Sequence, residues 1–153
     1  MFTRITMKTL SAAALAIALA GLGAPTAAQV APKISLDQLQ TMFANMRAQT
    51  HWNLDGPMLW GFFFLDSDRA KLEAAQAELT SKGYRFVAIQ KVNGSENYRL
   101  HVERVEVHTP QTLYARDIEL EGLARKLHVR SYDGMDVGPA PTADGAAASA
   151  ATH

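Results

Sequence analysis

The ten residues from Pro57 to Asp66, PMLWGFFFLD, hold Trp60, Phe62, Phe63 and Phe64 within five positions. A β-strand points successive side chains to opposite faces, so this segment is aromatic on both. One of its two sets, Trp60/Phe62/Phe64 or Leu59/Phe63/Leu65, packs under helices, and the other needs a different cover.

The residues on either side supply the helices and the remaining strands. SLDQLQTMFANMRAQ opens with Ser35 and has Gln38 three residues later, a capping box. Leu36, Leu39, Phe43 and Met46 then recur at helical spacing. THWNLDGP, residues 50–57, is a loop. After the aromatic strand, Asp66, Ser67 and Asp68 offer N-cap oxygens to RAKLEAAQAELTSKG. There Leu72, Ala75 and Leu79 form the stripe and Gly83 is the C-terminal stop.

YRFVAIQKV and YRLHVERVEV are two strands joined by a hairpin at Asn93-Gly94, a pair that tolerates the positive φ of such turns. The blurred alternation of the second predicts a bulge near Arg104. Thr109 and Pro110 start the next helix, with Leu113, Leu120, Leu123, Ala124 and Leu127 on its buried stripe. VRSYDGMDV, residues 129–137, is a last short strand that Asp133-Gly134 brings to a turn.

The order is one helix followed by β-α-β-β-α-β. It predicts an α+β, ferredoxin-like sandwich, an antiparallel sheet with two helices on one face. The extra N-terminal helix is the favoured cover for the sheet's second face. A second copy of the chain and a different protein or ligand are the alternatives, since a large exposed aromatic patch is uncommon on a monomer. The candidate interaction surface is Trp60, Phe62, Phe63, Tyr132, Asp133 and Gly134.

Residues 1–28 have the layout of a secretory signal peptide: Arg4 and Lys8, an uncharged apolar run from Leu10 to Ala24, then Thr26, Ala27 and Ala28. The run is short of the roughly 20 residues that cross a bilayer as a helix. Cleavage after Ala28 places the mature protein in the periplasm or outside the cell, with no membrane attachment. Residues 29–54 comprise a linker and the N-terminal helix, residues 55–137 the main domain. Residues 138–153, GPAPTADGAAASAATH, lack an apolar period and are expected to be a disordered tail.

Composition narrows the chemistry. Without cysteine there is no disulfide, thiolate metal site or cysteine nucleophile. Loss of Arg4 and Lys8 with the signal leaves 13 Lys+Arg against 15 Asp+Glu, a balance that does not attract a polyanion. Nucleic acid is therefore not expected as a partner, and the ribonucleoprotein signature of RNA-binding modules is absent.

His51, His101, His108, His128 and His153 match no metal-ligand spacing. No nucleophile elbow surrounds Ser67 or Ser131, and no Gly-rich phosphate loop exists. Arg116 and Asp117 read as helix-surface residues. No metal and no cofactor are expected. A hydrolase built from His101, His108 and nearby acids in one cleft is the competing reading.

Five stretches taken in order carry a family resemblance: FFFLDSD, LTSKGY, the hairpin about NGSEN, LEGLARK and YDGMD. Over roughly residues 55–137 the chain resembles the ribonuclease E inhibitor B family, also called regulator of ribonuclease activity B. Family members often carry Trp after YDG, where this chain has Met135. The resemblance implies a ferredoxin-like sandwich and a non-enzymatic protein that binds an RNA-degrading enzyme in the cytosol. A signal peptide would separate this chain from that target. Export therefore implies another partner, either a different protein or a second copy. If the N-terminus is not a working signal, regulation of ribonuclease E is implied instead.

Overall fold

The computed structural model describes residues 32–142, so the expected leader over 1–28 and the tail from 143 on lie outside the described residues. Within them the chain is an α+β structure, with a four-stranded antiparallel sheet and three helices. The elements are α1 (Leu36–Gln49), β1 (Met58–Asp66), α2 (Arg69–Ser81), β2 (Arg85–Lys91), β3 (Tyr98–Glu106), α3 (Pro110–Lys126) and β4 (Ser131–Pro139). The strand order is β2-β3-β1-β4. The aromatic strand β1 is thus interior, paired with β3 on one edge and β4 on the other.

Local chemistry sets the helix ends as expected. Ser35 and Gln38 close a capping box on α1, and Thr109 with Thr112 does the same for α3, which has Pro110 in its first turn. Asp68 caps α2 by accepting from the Ala70 N–H. Gly83 ends it at φ 90°, with the Tyr84 N–H returning to the Leu79 carbonyl. At the end of α3, His128 takes the equivalent left-handed position at φ 53°. Asp66 joins three elements: its carboxylate accepts from the Asp68 and Arg130 N–H groups, each at 2.7 Å.

Alternation along β1 decides which aromatics are core. Trp60, Phe62 and Phe64 are 1%, 0% and 0% exposed, and they pack under the helices with Leu72, Leu79, Leu100, Val102, Leu113 and Leu120. Helix α1 lies on this same side, against the expectation that it would cover the other face. Phe43 stacks on Trp60 with ring centroids 6.0 Å apart, and α1 packs chiefly against α3. The Trp60 end of β1 is closed by Phe43 and by the edge of His108, 5.3 Å away. The apolar stripe of α1 is used there, and all three helices share one face.

Two backbone details also differ from expectation. The β1–β3 register is unbroken, so no bulge occurs at Arg104; the irregularity lies in the partner strand, between Phe86 and Ala88. Asp133-Gly134 does not end β4 either. The strand passes through it with a register shift opposite Phe63/Phe64, Gly134 at φ 99°, and continues to Pro139. Gly138 and Pro139, assigned to the tail by composition, pair with Leu59 and Met58.

The two faces of β1 predict opposite responses to truncation. Phe62→Ala removes a fully buried ring and is expected to cost about 3–5 kcal/mol of stability. Phe63→Ala, on the half-buried face, is expected to cost about 1 kcal/mol. Urea denaturation of both variants tests this, and equal losses would refute the assignment of faces.

Candidate interaction face

The side of the sheet away from the helices carries the residues that β1, β3 and β4 turn outward. In register order across β2, β3, β1 and β4, one row is Arg85, Glu103, Gly61 and Asp136. The next is Ala88, His101, Phe63 and Gly134, and alongside these rows Val105 pairs with Leu59 and Arg99 with Leu65.

Phe63 is the centre of this face. Its ring stacks on His101 at 4.5 Å and an interplanar angle of 26°. The Arg99 guanidinium lies 5.7 Å from the ring centroid and reaches Asp133 at 3.2 Å. Gly61 has no side chain because two others occupy the space above it. A Cβ there would overlap the Asp136 carboxylate and come within 2.8 Å of His101 Nε2. That nitrogen is shielded from solvent and makes no hydrogen bond, although Glu103 Oε1 is 3.4 Å away. Glu103 is itself ion-paired to Arg85.

Of the six residues expected to form an interaction surface, three are core. Trp60, Phe62 and Tyr132 are 1%, 0% and 4% exposed, because strand alternation turns them toward the helices. Gly134 is buried, with Ile34 Cδ1 3.8 Å from where its Cβ would stand. Only Phe63 and Asp133 present side chains on the accessible side, at the centre and the edge of the open face. Lys33, Ile34, Tyr132, Asp133 and Gly134 line a small recess beside the β4 bulge.

The helix side contains the polar groups that sequence reading placed wrongly. Asp117, expected on the helix surface, is 0% exposed. Its position was legible: it stands four residues after Leu113 and three before Leu120, in the middle of the buried stripe. The Tyr132 hydroxyl donates to its Oδ1 at 2.7 Å, while Oδ2 has no partner. Burial raises the Asp117 carboxyl to about 6, with the Tyr132 hydrogen bond opposing the shift and the Glu121 charge adding to it. Tyr132 is raised as well, by burial and then by the Asp117 charge.

Arg116, also expected on the surface, lies against the Tyr84 ring and bonds both the Tyr84 hydroxyl and Glu106. Glu106 is further ion-paired with Arg104 and contacts His108 Nε2 at 2.9 Å. Burial pushes Glu106 up, but His108, Arg116 and Arg104 together hold it below the usual carboxylate range.

His101 and His108 therefore sit on opposite faces of the sheet, one against Phe63 and the other against Trp60. The shared cleft that the hydrolase reading requires is not formed. Among the described residues no three His, Asp or Glu side chains converge to hold a metal ion. No helix among them is long and apolar enough to cross a membrane.

Among the described residues, a sheet covered on one side by three helices and left open on the other defines a small α+β module with one solvent-facing sheet surface. The family profile described as Regulator of ribonuclease activity B matches residues 36–137, and the chain belongs to that family. The matched stretch begins at the first residue of α1, so that helix belongs to the family's domain as well. Comparison with curated proteins and with solved structures gives no match.

Asp117 makes folding depend on pH in a defined direction. Its folded-state value of about 6 exceeds the 3.8 of an ordinary aspartate, so between these the folded chain keeps a proton that the unfolded chain has released. The stability tied to this proton is complete below pH 3.8 and is lost as pH rises to about 6, by about 3 kcal/mol in all. Asp117→Asn is expected to lack that decline. The difference between the two proteins' stability curves isolates it from groups such as Glu106 that titrate in both, and parallel curves would refute it.

Proposed function

We propose that this chain is an exported, non-catalytic regulator that binds another protein through the open face of its sheet, centred on Phe63. Membership of the regulator of ribonuclease activity B family carries the reading, because the family description names regulation rather than a reaction. The strand order β2-β3-β1-β4 with antiparallel pairing supports a ferredoxin-like sandwich as the scaffold. The open face supports protein rather than nucleic acid as the ligand. The faces of the Phe63 and His101 rings are turned to each other and to Arg99, so they form no platform for bases. Glu103, Asp133 and Asp136 add negative charge around them.

Export rests on residues 1–28, read as a leader cleaved after Ala28, and it separates the mature chain from cytosolic ribonucleases. On this reading the fold of a ribonuclease regulator serves a partner outside the cytosol. Regulation of ribonuclease E is the second reading, favoured by the family description alone, and it holds if the leader is not processed.

Two measurements decide between these. Cell fractionation with N-terminal sequencing is expected to find a chain starting at Gln29 outside the cytosol; the uncleaved chain in the cytosol would overturn export and leave the ribonuclease reading. A photo-crosslinker at Phe63 (Phe63→p-benzoylphenylalanine) is expected to give a discrete protein adduct in cells. The same crosslinker at Ala77, exposed on α2, serves as control. Adducts that do not depend on the Phe63 position would remove the open face as the contact surface.

A further inference from the structure

We propose that the open face pairs with the same face of a second copy, about a two-fold axis that runs along the strands between β1 and β3. The proposal rests on the reading of this face as a contact surface and names one of its partners. Sheets stacked in this way keep their strands within about 30° of one another.

A two-fold axis along the strands leaves each residue at its own height and exchanges left for right. Strand β2 then lies over β4 of the other copy, and β3 over β1. The register pairs fix what meets. Arg85, at one end of its row, faces Asp136, at the other end. Val105, 48% exposed despite being apolar, faces Leu59. His101 faces Phe63, and Ala88 faces Gly134, the buried glycine beside Ile34.

The other in-plane axis, perpendicular to the strands, stacks β4 on β4 and β2 on β2. It brings Asp133 and Asp136 of both copies to one edge and Arg85 of both to the other. Charge therefore favours the first arrangement, which sets Arg85 against Asp136 at both edges while Glu103 faces Gly61 and the Asp136 carboxylate above it. The contact also supplies cover for Val105 and Leu59.

Four strands about 4.8 Å apart and about nine residues long present roughly 500 Å² of flat sheet. That is at the small end for a specific interface, so the pairing is concentration-dependent.

Sedimentation equilibrium of the purified protein, from about 1 µM to 1 mM, tests it. The expected result is a monomer–dimer equilibrium that Arg85→Glu and Asp136→Arg each weaken by about tenfold or more, with melting temperatures kept within a few degrees. Mixing the two variants in equal amounts restores a dimer, since each then meets an opposite charge at both edges. Native mass spectrometry identifies that dimer as mixed. Should Arg85→Glu unfold the chain by repelling Glu103, Val105→Asp provides the disruption instead. A wild-type protein that stays monomeric to 1 mM overturns the proposal, as does a dimer indifferent to these changes or a mixture that stays monomeric. The broader reading is judged separately: a monomeric chain whose Phe63 crosslinks to a different protein has lost self-pairing and kept its regulatory surface.

Discussion

Strand β1 is hydrogen-bonded along both edges, and this double pairing fixes everything that follows. A one-residue slip would exchange Trp60, Phe62 and Phe64 for Gly61, Phe63 and Leu65 beneath the helices. Three large buried rings would be traded for one ring, one Leu and a glycine, so register is strongly specified. The same register sets the open face. Because Gly61 has no side chain, Asp136 from one neighbour and His101 from the other can close over β1, and any larger residue would push them apart. The composition of the open face is thus a consequence of core packing, one residue out of phase.

What was legible in the sequence is what depends on neighbours in the chain. Ser35, Asp68, Thr109 and Gly83 act within a few residues, so helix ends could be read directly. The interior place of β1 followed from the β-α-β-β-α-β order, which puts the first strand inside the sheet. The side on which α1 packs was not legible. An apolar stripe states that a helix needs a surface but not which one, and here Trp60 extends far enough along the sheet to need Phe43 as well as His108. The β4 irregularity was hidden for a related reason. Asp-Gly reads as a turn by local preference, yet pairing with β1 on one side carries the strand past it to Pro139.

Asp117 shows where a rule about residue type misleads. Carboxylates are rarely fully buried without a partner, and a helix position among charged neighbours invites a surface reading. Spacing said otherwise, because a residue between Leu113 and Leu120 on the stripe cannot avoid the core. Tyr132 supplies one hydrogen bond and the second oxygen has none, so burial disfavours the charged form and raises the carboxyl to about 6. Tyr132 belongs to the YDG triad, so the triad's aromatic is a buried partner of α3 while its Asp133 faces Arg99 outside. One short motif serves both sides of the sheet.

The two sides of the sheet differ in how completely their polar groups are satisfied. On the helix side Glu106 gathers Arg104, Arg116 and His108, and with Tyr84 and Thr112 this network closes on itself. On the open side the ion pairs are partial: Arg85 remains well exposed beyond its contact with Glu103, and Asp136 is exposed above Gly61. Groups that are oriented by neighbours yet not used up by them suit recognition, because ordering them at a contact costs little further entropy. The open face therefore resembles a contact surface by the state of its polar atoms as much as by the apolar residues among them.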